Sequence, residues 1–473
     1  MKKKDECLFY CYSCPGEGYH NINGYKYFYG EDYRNAKRYK EYVDCGFNMV
    51  QARGPQSYSG EDWETSNCKR VFTEALKGGC KRILVTDGRF DHWVRDLRDI
   101  VGEGKMFATE EELDKAVAEC VAPYSKEEGF YGIQLFDEPL YDQFPAYGQL
   151  MRSIKRVLPG VYVQSNLLPM TAPVKLLVPH DEFHEDVATD KIATESLAMR
   201  EIYEKYVGDF QEITGADNIH FDEYPFRREY IISGNTLPNY QLVAKMCRER
   251  GIDFRVVLQS FAHVWNGNYQ NRRMTESDMY WQTNLAMGFG VREYSFYTYW
   301  AKPDFKYKDG ERGAFLEMDG ASFINLDGSR SALYFYTKRI ISEMKKFLKV
   351  GRKYSYQSSH VVTQKDKTCK DYDWTKYLYE DEPSPVPVSV DKGVSLITRQ
   401  TNGADELYMF ENIGNVRDEL FDNAPPMQMT ISLPDGKKNF YFRGKKTEMQ
   451  PNADGTYTLS LKVGDAVFVE ILK

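Results

Sequence analysis

Two short acidic motifs, each at the end of an apolar run, contain the residues of this sequence that are best suited to chemistry. The first is Tyr131-Gly-Ile-Gln-Leu-Phe-Asp-Glu-Pro139, and the second is Asn218-Ile-His-Phe-Asp-Glu-Tyr-Pro225. Carboxylates at the ends of buried strands are costly to desolvate, so their presence there favours a functional role. Two such ends predict carboxyl groups that face one pocket, which is the minimum equipment for hydrolysis of a glycosidic bond.

The acids of these motifs have different expected roles. We expect Glu138 to act as general acid/base, and the alternative is an acid that favours the dipole at the start of a helix. Asp137 is expected to orient Glu138 or to bind substrate, with capping of the loop as the alternative. We expect at least one of Asp222 and Glu223 to serve as nucleophile or base. Successive strand residues point to opposite faces, so the sequence leaves open which of the two it is.

Eight short apolar runs alternate with helical patterns along most of the chain. Several runs are apolar throughout, which is typical of parallel strands that are buried on both faces. Eight β/α units in order predict an α/β protein with a (β/α)8 TIM barrel, and an open doubly wound sheet is the alternative. The predicted strands are Leu8–Tyr12, Phe47–Ala52, Arg82–Thr86, Gly132–Phe136, Val161–Ser165, Asn218–Phe221, Phe254–Leu258 and Glu293–Tyr299.

Helix start and stop signals support this division. Thr109 begins a capping box that predicts a helix ending near Val121, and Gly251 is a natural end for a helix over Leu237–Arg250. Thr275 is predicted to open a further helix, and Ser331–Val350 is predicted as the last long helix before the sequence pattern changes.

The sequence predicts three regions. The barrel is expected over residues 1–350, and a polar, proline-rich linker that begins the second domain is expected over 351–387. Residues 388–473 alternate apolar and polar side chains between turn signals such as Asp435-Gly and Asp454-Gly. This pattern predicts a C-terminal β-sandwich domain.

Further site candidates follow from the barrel prediction, because active sites of such barrels lie at the carboxyl ends of the strands. Amide and carboxylate side chains there would hold sugar hydroxyls, and Tyr or Trp rings would stack on the apolar face of a sugar. For Asp87 the alternative role is capping of a turn, and for Gln259 it is a hydrogen-bonded core amide. The substrate-binding candidates are Asp87, Asp137, Asn166, Tyr224, Gln259, Tyr297, Tyr299 and Trp300.

Composition limits the classes of partner. The net charge of −8, with acids and bases interspersed over 473 residues, argues against nucleic acid binding. No run approaches the roughly 18 apolar residues of a membrane span. Nine cysteines without regular spacing predict free thiols in the cytoplasm, and a secreted form whose signal has been removed is the alternative. We expect a carbohydrate substrate with no cofactor and no metal; a homo-oligomer is left open.

Four segments together resemble glycoside hydrolases of the (β/α)8 type: Gly132–Pro139, His220–Pro225, Thr275–Trp300 and Asn325–Tyr334. The last two are similar to the final strand and closing helix of bacterial β-galactosidase-like retaining enzymes. The resemblance implies an acid/base Glu at the end of strand four, where this chain has Glu138. It also implies a nucleophilic Glu at the end of strand seven, where this chain has Gln259, and a glutamine cannot attack.

This departure leaves several mechanisms open. The second carboxylate would come from strand six, as Asp222 or Glu223. The adjacent Asp137 and Glu138 also resemble the pair of substrate-assisted N-acetylhexosaminidases, in which the Asp orients the N-acetyl group that attacks. Two further classes of protein fit the same residues. One is a carbohydrate-binding barrel without catalysis, and the second is a different barrel enzyme, such as a lyase or a metal-dependent aldolase.

Overall fold

The chain divides into two compact units. The N-terminal unit is Leu8–Asp222, and the C-terminal unit is Glu223–Lys473 together with Met1–Cys7. A computed structural model describes residues 7–12, 15, 19–22, 25–28, 32–54, 62–95, 98–135, 137–182, 197–227, 235–265, 268–300, 315–316, 322–325, 327–363, 378, 383–414 and 425–473.

The N-terminal unit alternates strands and helices. Its strands are β1 Leu8–Cys11, β2 Tyr19–Ile22, β3 Tyr25–Phe28, β4 Val50–Arg53, β5 Ile83–Thr86, β6 Phe130–Gln134, β7 Tyr162–Gln164, β8 Asn166–Leu167 and β9 Asn218–Asp222. Its α-helices are α1 Ala36–Cys45, α2 Asn67–Lys77, α3 Gly88–Val94, α4 Glu110–Val121, α5 Phe144–Val157, α6 Val174–Leu177 and α7 Leu197–Thr214. Short 3-10 turns lie at Trp63–Thr65, Tyr141–Gln143 and His180–Glu182.

Parallel pairing organises this unit. Strands β4, β5, β6 and β7 form one parallel sheet in that order, and β8 pairs in parallel with β9. Parallel neighbours require a crossover connection, which the intervening helices supply. Strand β6 lies very close to β7 at Gly132, where an added Cβ would lie 2.2 Å from the carbonyl oxygen of Tyr162. Only glycine allows β6 and β7 to approach this closely.

The C-terminal unit begins with the same alternation and ends in β-structure. Its helices are α8 Thr236–Arg250, α9 Glu276–Gly288 and α10 Ala332–Gly351. Its strands are β10 Asp253–Gln259, β11 His263–Trp265, β12 Asn268–Asn271, β13 Glu293–Tyr297, β14 Phe315–Leu316, β15 Ser355–Thr363, β16 Val388–Val390, β17 Val394–Asn402, β18 Asp405–Asn412, β19 Met427–Ile431, β20 Lys437–Phe442, β21 Lys445–Thr447, β22 Tyr457–Leu461 and β23 Ala466–Leu472.

Two antiparallel sheets make up the end of this unit. One has the order β15-β17-β18-β23-β20-β21, and the second has the order β16-β19-β22. Their inner side chains form one hydrophobic core, to which the larger sheet contributes Ile397 and Phe410 and the smaller sheet contributes Met429 and Leu459. Alternation of buried and outward positions along each strand produces this arrangement.

Helix α9 packs directly on the larger sheet. The amide of Gln400 donates to the carbonyls of Met287 and Gly288, both at 2.9 Å, and Asn284 donates to the carbonyl of Gly464 at 2.8 Å. The predicted boundary near residue 350 therefore marks a change of secondary structure inside one compact unit. As a domain boundary it stays a prediction, and residues 364–377 and 379–382 of the predicted linker lie outside the described residues.

The elements predicted from the sequence agree well with the structure. All eight predicted strands are confirmed within a few residues. Val161–Ser165 corresponds to β7, and the separate short strand β8 begins just after it. Phe136, the last residue of the predicted strand Gly132–Phe136, lies outside the described residues. The predicted helix ends are also confirmed: Thr109 caps α4, Thr275 forms a capping box at α9, and α8 ends at Gly251 in the left-handed conformation. A mixed α/β architecture with parallel strands is thus confirmed, and closure of those strands into a barrel stays a prediction.

Two further properties concern the described part of the chain alone. None of its helices combines the length and apolar character that crossing a membrane requires. Nor does any group of three or more His, Cys, Asp and Glu side chains in that part form a set that could hold a metal ion.

Candidate active site

Four carboxyl groups of the N-terminal unit lie close enough for their charges to interact. We call Asp91, Asp137, Glu138 and Asp222 the acidic cluster. After burial, which is the main cause, the charges of Asp222 and Asp91 raise the pKa of Asp137, and those of Asp222 and Asp137 raise the pKa of Glu138. The two acidic motifs of the sequence therefore meet at one place, as their positions at strand ends predict.

The strand order explains this meeting. Beyond the end of β6 the chain stays beside β7 and β8, because Leu135 N–H donates to the Gln164 carbonyl and Glu138 N–H donates to the Asn166 carbonyl, each at 2.8 Å. On its far side β8 pairs with β9, and Asn166 lies opposite His220, two residues before Asp222. Strand β8 therefore lies between the two motifs and connects them.

Asn166 contacts both motifs through its side chain. Its Nδ2 donates to Asp222 Oδ1 at 2.9 Å, and its amide also hydrogen-bonds the carboxyl group of Asp137. The residue is only 3% exposed. Two carboxylate acceptors fix the orientation of the amide, because only its nitrogen can donate.

Glu138 has an unusual backbone. Its φ is 54°, in the left-handed region that residues other than glycine seldom occupy. Two hydrogen bonds hold the segment: the one from Glu138 N–H to Asn166, and one at 2.6 Å from the Tyr206 hydroxyl to the carbonyl of Pro139. Such strain persists only where the surroundings enforce it, which is common at functional sites.

The carboxyl groups of Asp137 and Glu138 are accessible but enclosed. Both residues are exposed to solvent, whereas Asp222 is buried. Protein atoms nevertheless displace much of the water around both groups. This desolvation is the main cause of their pKa shifts, and the charge of Asp222 is the next. The pKa of Asp137 is raised to about 7 and that of Glu138 to about 8. Most molecules therefore carry a proton on Glu138 at neutral pH, in a position that a ligand can reach.

The surroundings also contain residues that the sequence did not identify as site candidates. Burial raises the pKa of Asp91 to about 6, and its charge acts on Asp137. Tyr12 follows β1. Burial is the main cause that raises its pKa, and the charges of Asp137 and Asp222 contribute to the same shift. Tyr12 ends the first predicted strand, so the strand-end rule was a sufficient signal for it. Asp91 lies inside α3, just beyond the end of the third predicted strand, and the sequence assigned it no role.

Asp87 is engaged with its own helix. Its carboxylate caps α3 by accepting from Arg89 N–H at 3.1 Å, and it pairs with the Arg89 guanidinium at 2.9 and 2.6 Å. The Tyr124 hydroxyl donates to the same carboxylate at 3.0 Å. These bonds show the capping role that the sequence allowed as an alternative, and substrate binding by Asp87 stays a prediction.

The two acids at the end of β9 have different neighbours. Asp222 contacts Asn166. Glu223 belongs to the C-terminal unit, where its carboxylate lies 3.5 Å from the Thr236 hydroxyl. Burial is the main cause of the raised pKa of Tyr240, and the charge of Glu223 contributes to it. This difference is the expected result of strand alternation. Asp222 is the member whose neighbours include the accessible acids.

Gln259 is a fully enclosed amide. It accepts from Phe226 N–H at 3.0 Å and donates to the carbonyls of Phe226 and Phe261 at 3.3 and 3.2 Å. These contacts match the core role that the sequence allowed as an alternative. A ligand contact from this residue stays a prediction.

The aromatic candidates of the C-terminal unit form two groups. Tyr224 and Tyr297 pack edge-to-face against Phe261, with ring centroids 4.8 and 5.3 Å away, and both tyrosines are partly exposed. Tyr299 and Trp300 stack on each other at 6.3 Å and are 1% and 4% exposed. Of these four candidates, the first two keep an accessible ring surface.

Comparison with known proteins gives a likeness of fold. No protein-family model and no curated protein matches the chain. The solved structure of an Anoxybacillus alpha-amylase, described as a new glycosyl hydrolase subclass, matches with a TM-score of 0.51 and 12% identity over 99% of this chain and 98% of its own. A family 39 glycoside hydrolase from the gut symbiont Bacteroides cellulosilyticus matches with a TM-score of 0.48 and 11% identity over 99% and 82% of the two chains. At such identities the first match shows a shared fold.

Proposed function

We propose that this protein is a glycoside hydrolase of small oligosaccharides or glycosides, with Glu138 as the general acid. The observation that carries the proposal is an accessible carboxyl group with a pKa of about 8 that lies beside further carboxyl groups. Glycosidic cleavage needs a proton for the leaving oxygen, and a group that keeps its proton at neutral pH supplies it.

Asp222 is the proposed second carboxylate. The hydrogen bond from Asn166 favours its charged form, and its charge acts on Glu138. An ionised Asp222 would attack the anomeric carbon or take a proton from the attacking water. The separation of the two carboxyl groups in the bound state decides between these, and the anomeric configuration of the first product reports it.

A second candidate is a substrate-assisted enzyme for N-acetylated sugars. Asp137 and Glu138 are adjacent, accessible and in the same cluster, which is the observation that favours it. In this reaction the acetamido oxygen of the substrate attacks the anomeric carbon while Glu138 protonates the leaving oxygen. Asp137, in its ionised form, would orient the acetamido nitrogen.

Substrate contacts and compartment complete the proposal. The partly exposed rings of Tyr224 and Tyr297 are the proposed stacking surfaces in the C-terminal unit. We keep the cytoplasm as the proposed compartment, because the nine cysteines of the sequence have no regular spacing.

Hydrolysis of a panel of aryl α- and β-glycosides, including N-acetylated sugars, tests the proposal. The wild type is expected to release the aryl group from at least one member, and Glu138→Gln is expected to lose that release. Glu128→Gln, at an exposed position of the same unit, is the matched control. A Glu138→Gln variant as active as the control would contradict the assignment, and activity confined to N-acetylated sugars would favour the second candidate.

A further inference from the structure

One residue of β8 hydrogen-bonds Glu138 and Asp222 and also acts on Asp137, so it interacts with all three acids of the proposed chemistry. The sheet order places β7 and β8 between β6, which leads to Asp137 and Glu138, and β9, which ends at Asp222. Asn166, the first residue of β8, contacts both sides, because its carbonyl accepts from Glu138 N–H and its amide donates to Asp222. Asn166 is buried, whereas Asp137 and Glu138 are exposed.

The backbone of Asn166 acts on Glu138. Its carbonyl oxygen accepts the Glu138 N–H at 2.8 Å, at the residue whose φ of 54° requires external support. The direction of the Glu138 side chain follows from that backbone conformation, so the bond fixes where the acidic proton is presented.

The side chain of Asn166 acts on the remaining two acids. An amide nitrogen has two hydrogens, so one Nδ2 can serve both Asp222, at 2.9 Å, and Asp137. Donation to a carboxylate favours its charged form. The amide of Asn166 therefore favours ionisation of Asp222 and Asp137 while Glu138 stays protonated.

The amide oxygen of Asn166 shows that packing alone does not explain this residue. Oδ1 is buried, and no hydrogen bond to it is found within the described part of the chain. A buried acceptor without a partner is unfavourable. The orientation that leaves Oδ1 unpaired is the one that points the nitrogen at the carboxylates.

We infer that Asn166 is a positioning residue that sets both the direction of the acid and the ionisation of the carboxylates, and that it acts through Asp137, Glu138 and Asp222. This inference rests on the proposed function. It differs from the role predicted for Asn166 from the sequence, which was direct substrate binding. A positioning role changes the pH dependence and kcat, whereas a substrate contact changes KM.

The test compares Asn166→Leu, which keeps size and backbone but removes the donor, with Asn166→Ser, which keeps a short donor. We expect the acidic limb of the kcat/KM profile to move up by about one pH unit in Asn166→Leu. At pH values below the pKa of that limb, kcat should fall about tenfold, and KM should change little. Asn166→Ser is expected to recover part of the loss. Asn218→Leu is the matched control, because Asn218 is equally buried, lies at the start of β9 and donates to the Val163 carbonyl at 3.1 Å.

Two outcomes would overturn the inference while the proposed function stands. One is a raised KM with an unchanged pH profile, and the second is an equal effect of the Asn218 control. A wild type without any hydrolysis would count against the proposed function itself. In that case carbon-13 NMR titration of the Asp and Glu side chains decides separately: Asn166→Leu is expected to raise the pKa of Asp137 and Asp222, and unchanged titrations would refute the positioning role.

Discussion

The hydroxyl of Tyr206 donates a hydrogen bond to the carbonyl oxygen of Pro139 at 2.6 Å, one residue beyond Glu138. Tyr206 lies on α7 and is fully buried, and Glu138 and Asp222 are among the groups that raise its pKa after burial itself. The strained turn that presents the acid is therefore held from the helix side as well as from β8.

Removing this hydroxyl is expected to reduce catalysis more than stability. Tyr206→Phe should lower kcat about tenfold and lower the free energy of unfolding by about 1–2 kcal/mol, because the buried hydrogen bonds of the hydroxyl with the Pro139 carbonyl and the Leu168 backbone are lost. Tyr203→Phe is the control: Tyr203 is equally buried on the same helix and donates to the Leu168 carbonyl at 2.9 Å. Kinetics and urea unfolding of both variants check the expectation, and equal kcat values would count against it.

The loss in Glu138→Gln is expected to depend on the leaving group. General acid catalysis contributes about 10²–10⁴-fold, and a poor leaving group needs all of it. The variant should therefore lose much more activity on an alkyl glycoside than on a dinitrophenyl glycoside of the same sugar. Steady-state rates on the two substrates measure the difference. A loss of equal size on both would indicate a role other than proton donation.

Activity is expected to fall as pH rises through about 8. The proposed reaction needs protonated Glu138, whose pKa is raised to about 8 by burial and by Asp222. The alkaline limb of the kcat/KM profile should therefore lie near this value and disappear in the residual activity of Glu138→Gln. A profile that is flat from pH 7 to pH 10 would contradict the assignment.

The raised pKa of Glu138 also predicts that this residue reduces the stability of the protein at alkaline pH. A carboxyl whose pKa is raised on folding contributes stability below its ordinary pKa of 4.5 and loses it as pH rises through about 8. Glu138→Gln should thus melt about 1–3 °C above the wild type at pH 9 and show a smaller difference at pH 5. Solvent screens this exposed side chain, which keeps the gain modest. Thermal melts at the two pH values measure it.

Two glutamates of strand β18 are expected to respond in opposite directions. Glu411 is fully buried, its carboxyl oxygens have no hydrogen-bond partner within the described residues, and burial raises its pKa. Glu411→Gln should therefore stabilise the protein by about 1–2 kcal/mol at pH 8, with a smaller gain near pH 4.

Glu406 is the matched control for that prediction. It pairs with Arg399 at 2.6 Å and with Lys473 at 3.2 Å. Burial acts to raise the pKa of Glu406, but these partners outweigh burial and lower it. Its stabilisation is present above the unfolded pKa and is lost as pH falls, so Glu406→Gln should destabilise at pH 8 by about 1–2 kcal/mol. Denaturant unfolding of both variants measures the change. A similar loss of unfolding free energy in Glu411→Gln and Glu406→Gln would refute the predicted difference between them.

Sequence periodicity predicted most of the elements, because hydrophobic burial and capping are local properties. Thr109, Thr275 and Gly251 mark helix ends through bonds and backbone angles within a few residues of themselves. The choice between Asp222 and Glu223 was beyond the sequence, because it depends on which face of β9 meets Asn166. That relationship joins strands far apart in the chain.

Side chains inside helices were harder to predict than strand ends. Asp91 acts on Asp137 from within α3, and Tyr206 acts on Pro139 from within α7. Helical periodicity assigns such positions to a face and does not identify the loop that this face meets. The role of Asp87 could not be decided from the sequence for a related reason, because an acid at a strand end can cap the next helix as readily as it can face a ligand.

The close approach of β6 and β7 at Gly132 has a consequence for engineering this protein. An alanine there would place a carbon 2.2 Å from the Tyr162 carbonyl oxygen, so the two strands would have to move apart. Such a shift would be transmitted along β6 to Asp137 and Glu138, a few residues downstream. Variant libraries should therefore hold Gly132 constant, although it has no side chain to offer a ligand.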